Sequence, residues 1–80
     1  MTEAPPHRRL DLRGLKCPLP VLRARKALRE AAIGDLIVVE CTDPLAVIDI
    51  PNMVRETGDR LERQRSEPAF SAFHIRKVAP

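Results

Sequence analysis

The chain contains no tryptophan and no tyrosine, and its only aromatic residues besides histidine are Phe70 and Phe73. A module that binds single-stranded nucleic acid by stacking bases on aromatic platforms has almost nothing here to stack with. Cysteine is equally scarce. Cys17 and Cys41 lie far apart, form no Cys-x-x-Cys pair and supply no framework of structural disulfides. The two histidines, His7 and His74, do not combine with the cysteines in zinc-ligand spacing, so neither a metal nor another cofactor is expected. The opening MTEAPPHRR has no apolar run. This argues against a signal peptide or a membrane span and makes the reducing cytoplasm the expected compartment.

What is present is the make-up of one small folded domain. The 80 residues are 44% hydrophobic and 31% charged, a globular balance with room for one modest core. The net charge of +3 understates an asymmetry along the chain. Between positions 8 and 29, Arg8, Arg9, Arg13, Lys16, Arg23, Arg25, Lys26 and Arg29 face Asp11 alone. A field of this sign favours an anionic sulfur at Cys17 and attracts an acidic partner surface or a nucleic-acid backbone. A solvated helix face would account for the same charges equally well.

Hydrophobic periodicity divides the chain into six elements. Residues 1–7, with Pro5 and Pro6, read as a flexible N-terminal tail, and 8–80 as a single domain. Leu10 and Leu12 alternate with charged neighbours, predicting a short strand with one buried face. A helix is expected from about Pro18 to Ala32, burying Val21, Ala24, Leu28 and Ala31, with Arg23 and Lys26 outward and Leu22 exposed among them. LIVVEC, Leu36–Cys41, predicts a central strand with Ile37, Val39 and Cys41 inward. Asp43-Pro44 has the form of an N-cap and first helical residue, whereas Pro51 is expected to interrupt the following helix and force a restart near Asp49 that ends at Gly58. Asp43 and Asp49 are therefore read first as caps and second as partner contacts. DRLERQRSE predicts a polar edge strand protected by its charges, and Phe70–Val78 a last strand with Phe73 and Ile75 inward. The order β-α-β-α-β-β implies an α+β, two-layer sandwich, with both helices on one face of a four-stranded mixed sheet.

The most informative stretch is KCPLPVLRARKAL, where two prolines follow a cysteine directly and then give way to a helical pattern. Proline costs about 3 kcal/mol inside a helix but little in the first turn, where its missing N–H had no partner. Pro18 and Pro20 thus set where the helix begins and hold Cys17 at its positive end. With Cys17 as N-cap, the N–H groups of Leu19 and Val21 would face an anion near the sulfur. Arg13 and Lys16 are expected to add to the roughly +0.5 charge of the helix end. Together these predict a thiol that ionises modestly below the usual ~8.5. A lone exposed thiolate does not suit dithiol cycling, because Cys41 is expected inside the sheet. It does not suit hydrolysis either, because neither His7 nor His74 is placed as a base. It does suit a group carrier.

LDLRGLKCPLPVLRARKAL, TDPLAVIDIP, RETGDRL and the closing FHIRK together resemble the TusA/SirA family of sulfur carriers, in that family's order and over nearly the whole chain after the tail. The resemblance implies a β-α-β-α-β-β sandwich whose motif cysteine, by position Cys17, carries a persulfide. It also implies a cysteine desulfurase or rhodanese-like protein as sulfur donor, and an acceptor in tRNA thiolation, cofactor assembly or sulfur oxidation. Supporting roles fall to Arg13, Lys16, Pro18, Leu19 and Pro20. Leu22, Arg23, Lys26, Asp43 and Asp49 are the candidate docking residues. A redox thiol protein and a small basic RNA-binding module are the alternatives. The first would form a sulfenic acid at Cys17; the second would bind RNA with a steep salt dependence.

Overall fold

The computed structural model describes residues 7–80 and shows six elements. They are β1 (His7–Leu12), α1 (Leu19–Glu30), β2 (Leu36–Cys41), α2 (Ala46–Thr57), β3 (Arg60–Ser66) and β4 (Ser71–Arg76). The expected tail at 1–6 lies outside the described residues, and His7, expected in that tail, is already the first residue of β1. The sheet order is β1-β2-β4-β3. β1 pairs parallel to β2, and the remaining neighbours pair antiparallel, so the sheet is mixed.

The core follows from strand phase. Ile37 lies opposite Ile75 and Val39 opposite Phe73, which places all four side chains on one face. That face packs against both helices, through Ala24, Ala27 and Leu28 of α1 and Ala46, Ile50, Met53 and Val54 of α2. Val21 and Ala31 sit at the margin of this core, and Pro20 is buried beneath the first turn of α1. Glu40 points to the opposite face, as its phase requires, yet it is buried there. Arg9 covers it, with a guanidinium Nη2 donating to Glu40 Oε2 at 2.6 Å.

The third strand is the polar edge strand expected, and only Leu61 reaches back to the core. A bulge at Leu61/Arg63 shifts its register, a common device for making an edge unattractive to other strands. The last strand is shorter than expected, running from Ser71 to Arg76.

The expected break at Pro51 does not occur. α2 runs unbroken from Ala46 to Thr57 and ends at Gly58, whose φ of 84° is a left-handed cap. Proline removes the N–H that would bond to the Val47 carbonyl, but Val47 lies on the exposed side of the helix, where an unpaired carbonyl costs little. Burial of Ile50, Met53 and Val54 around Pro51 outweighs the local penalty.

Candidate functional site

Cys17 lies in the connection between β1 and α1, and that connection is pinned at several points. Gly14 takes a φ of 87°, which favours glycine, and its N–H donates to the Thr42 hydroxyl at 2.8 Å. The Leu15 N–H returns to the Leu12 carbonyl at 3.2 Å. The Cys17 N–H donates to Asp43 Oδ2 at 2.6 Å, tying the cysteine backbone to the β2–α2 connection. The Cys17–Pro18 peptide bond is cis.

Cys17 is not the N-cap. Pro18 occupies that place and α1 begins at Leu19. The Leu19 N–H, expected to face the sulfur, closes a turn on the Lys16 carbonyl at 2.8 Å. Arg13 does not turn toward the sulfur either. Its side chain grips Asp11 through Nε at 2.8 Å and Nη2 at 2.9 Å. This contact holds the Asp11 carboxyl down at about 2. Lys16 is exposed, and no ion pair of it is present among the described residues.

The side chains that do reach Cys17 are acidic. Its exposed Sγ donates to Asp49 Oδ2 at 3.2 Å. The thiol is consequently pushed above its ordinary value, first by this hydrogen bond to Asp49, then by partial desolvation and by the negative charges of Asp49 and Asp43. This overturns the expectation of a depressed thiol. A hydrogen-bond acceptor beside the sulfur stabilises S–H and repels S⁻, while Pro18 and Pro20 supply no N–H to oppose it and the Leu19 N–H is taken by the Lys16 carbonyl.

Neither aspartate acts as the expected N-cap. Asp43 Oδ1 accepts from the Leu45 N–H at 3.2 Å in a turn leading into α2, while Leu45 holds the cap position without a side-chain bond. Asp49 lies inside the first turns of α2, on the side facing Cys17.

From Asp49 a groove of about 300 Å³ runs between the helices, lined by Pro18, Val21, Arg25, Asn52, Met53 and Glu56. Arg25 and Glu56 pair across it at 3.1 Å. Arg23 and Lys26 instead line a separate hollow beside β1, with Arg8 and Glu30. They are exposed, as expected of docking residues, but lie on the other side of α1 from the groove. Large apolar side chains are exposed on the segments that carry the site. Leu19 (42% exposed) and Leu22 (53%) stand on α1, and Leu45 (49%) and Ile48 (57%) beside the two aspartates. Leu45, Ile48 and Arg25 were not among the residues singled out from sequence. The available signal was the spacing of Leu45 and Ile48 one helical turn apart, each next to or near an aspartate.

Cys41, in contrast, is 1% exposed within the sheet, and burial pushes its thiol up to about 11. Among the described residues no three His, Cys, Asp or Glu side chains are grouped to hold a metal, and no helix is long and apolar enough to cross a membrane.

A four-stranded mixed sheet under two helices, with an exposed cysteine held before the first helix by a Cys-Pro-x-Pro turn, defines a small α+β thiol protein with one accessible cysteine. The chain belongs to the sulfurtransferase TusA family, whose model matches residues 8–77. It is similar to the sulfur carrier protein TusA of Allochromatium vinosum, 40% identical over 68 residues that cover 85% of this chain and 90% of that protein. The sulfur carrier protein TusA of Pseudomonas putida is 38% identical over 79 residues, 99% of both chains. Among solved structures, the SirA-like protein from Desulfitobacterium hafniense superposes with a TM-score of 0.77 at 25% identity, covering 89% of this chain and 97% of that one.

Proposed function

We propose that the chain is a sulfur carrier that holds sulfane sulfur as a persulfide on Cys17 and hands it to an acceptor protein. The supporting observation is the isolation of this sulfur. Cys17 is exposed, its backbone is fixed by Asp43, and the only other cysteine is sealed in the sheet. Such a site lacks a resolving thiol for disulfide cycling, but a carrier needs none.

Loading is a thiol exchange without net redox change. Cys17 Sγ attacks the terminal sulfur of a donor persulfide, forming a new S–S bond as the donor's own S–S bond breaks. The electron pair of the broken bond stays on the donor cysteine, which takes up the proton that Cys17 gives up. Delivery repeats the step with an acceptor nucleophile. The donor is a cysteine desulfurase or a rhodanese-like protein in the cytoplasm, and the acceptor belongs to tRNA thiolation, cofactor assembly or sulfur oxidation. Donor and acceptor both approach over a surface of Leu19, Leu22, Leu45 and Ile48, because these exposed side chains stand on the segments that carry Cys17, Asp43 and Asp49. Its small patches of apolar surface beside charged Arg25, Asp43 and Asp49 suit transient contacts.

Intact mass after incubation with a cysteine desulfurase and cysteine tests the reading. One added sulfur atom, removed by reductant, is expected in the wild type and in Cys41→Ser, and none in Cys17→Ser. A reducible sulfur retained by Cys17→Ser would overturn it.

A further inference from the structure

We infer that Asp49 is a latch on the sulfur: its carboxylate holds Cys17 as S–H in the free carrier, and a partner opens the site by presenting a Lys or Arg side chain that pairs with Asp49 instead. The partner half of this inference rests on the sulfur-carrier reading; the latch itself does not.

Asp49 Oδ2 lies 3.2 Å from Sγ, within the range of a sulfur hydrogen bond, in which the carboxylate oxygen accepts and the thiol donates. The charged groups around the sulfur come from four directions. Asp49 faces it from α2, and Asp43 from the β2–α2 connection, where it accepts the Cys17 N–H. On its own connection Lys16 precedes it, while Arg13 is tied to Asp11. From α1, Arg25 lines the same groove but pairs with Glu56. The contacts to Cys17 are thus from carboxylates, and the nearby guanidinium groups are bound elsewhere. Such an arrangement makes the free thiol a slow nucleophile, in keeping with the direction in which these neighbours move its ionisation.

Asp49 is half-buried, so a partner cation can reach it once Leu45 and Ile48 are covered. Pairing with that cation removes the acceptor from the thiol and cancels the repulsion of S⁻. The proton passes to solvent or to the leaving donor sulfur, and the thiolate attacks as above. Covering the site also excludes water, which strengthens the new ion pair. The carrier would thereby stay unreactive toward stray electrophiles and become reactive where a partner docks.

The test uses Cys41→Ser protein, in which only Cys17 reacts, with iodoacetamide alkylation followed against pH. The native inflection is expected to lie above that of the same chain unfolded in urea. In the added Asp49→Asn variant it should fall, with alkylation at pH 7 rising about threefold. A tenfold larger thiolate fraction yields only about that much rate, because nucleophilicity falls with basicity at a Brønsted slope of about 0.4–0.5. Asp49→Asn should also bind the desulfurase several-fold more weakly at low salt and show less of a difference at high salt. An inflection unmoved by Asp49→Asn overturns the latch. Should that variant not fold, a native inflection at or below the unfolded one overturns it equally. Unchanged desulfurase binding overturns the partner cation. A moved inflection in a protein that never gains sulfur would overturn the carrier reading and leave the latch standing.

Discussion

Cys17 and Cys41 are both held as thiols, but by means that differ in what can undo them. Cys41 is kept protonated by the packing of β2 against the helices, and only unfolding exposes it. Cys17 is kept protonated by a hydrogen bond to one carboxylate at the surface. A contact at the site can break that bond while the fold stays intact. The buried thiol is therefore part of the protein's stability, and the exposed one is available to its chemistry. The difference lies in position: the two are 24 residues apart, and Asp43 influences both, through its charge on Cys41 and through charge and a backbone bond on Cys17.

The largest expected contrast is in modification. Iodoacetamide should add once to the native protein, at Cys17, with Cys41 reacting only through opening of the sheet. For a domain of ordinary stability that makes Cys41 at least about a thousandfold slower. Peptide mapping of the first adduct checks the order, and comparable labelling of both cysteines would mean that β2 is not closed. Next comes alkaline stability. The folded state keeps the Cys41 proton up to about pH 11, whereas the unfolded chain releases it near ~8.5. Stability from this group is thus complete below ~8.5 and is lost as pH rises toward 11. The loss amounts to roughly 2 kcal/mol by pH 10. Urea unfolding at pH 7.5 and 10 should show this fall in Cys17→Ser protein and not when Cys41→Ala is added.

Most of the fold was legible because its signals are local. LIVVEC declares a half-buried strand, and its period-two phase placed Cys41 inward and Glu40 outward without any knowledge of the partners. The prolines at 18 and 20 located the start of α1 to within a residue. The surroundings of Cys17 were not legible, since they depend on contacts 26 and 32 residues away in sequence. Local rules read Asp43 as a cap and Asp49 as a helix restart, and the same rules credited Arg13 to the sulfur when it belongs to Asp11 two residues earlier. Pro51 misled for a related reason. Its local penalty is real, but core burial on both sides of it decides the outcome.

Asp43 offers a sharper test of how the site is held. Its two oxygens serve different chains of contact, Oδ1 the Leu45 N–H and Oδ2 the Cys17 N–H. Asp43→Ala should cost about 1 kcal/mol, in the range of a lost turn or cap acceptor, as measured by urea unfolding. It should also loosen the Cys17 connection, seen as faster amide exchange at Cys17 with exchange in β4 unchanged. Equal protection at Cys17 in wild type and Asp43→Ala would mean that the Gly14–Thr42 bond alone pins the connection.

The smallest expected effect is the stability change of Cys17→Ser, and it is informative because it should be small. The sulfur is exposed and fills no part of the core. A serine hydroxyl can donate to Asp49 as the thiol does. Substitutions at surface sites of this kind usually leave stability almost unchanged, so the Tm should stay within about 3 °C of wild type. Cys41→Ser puts a hydroxyl among Val39, Ile50 and their neighbours, where an unpaired polar group is costly, and its Tm should fall by roughly 5 °C or more. Differential scanning calorimetry of the two variants side by side measures the contrast. If Cys17→Ser melted as early as Cys41→Ser, the thiol at the helix start would be a packing element, and its exposure would have to be explained without chemistry. A near-wild-type Tm together with complete loss of sulfur loading would separate function from stability at a single atom.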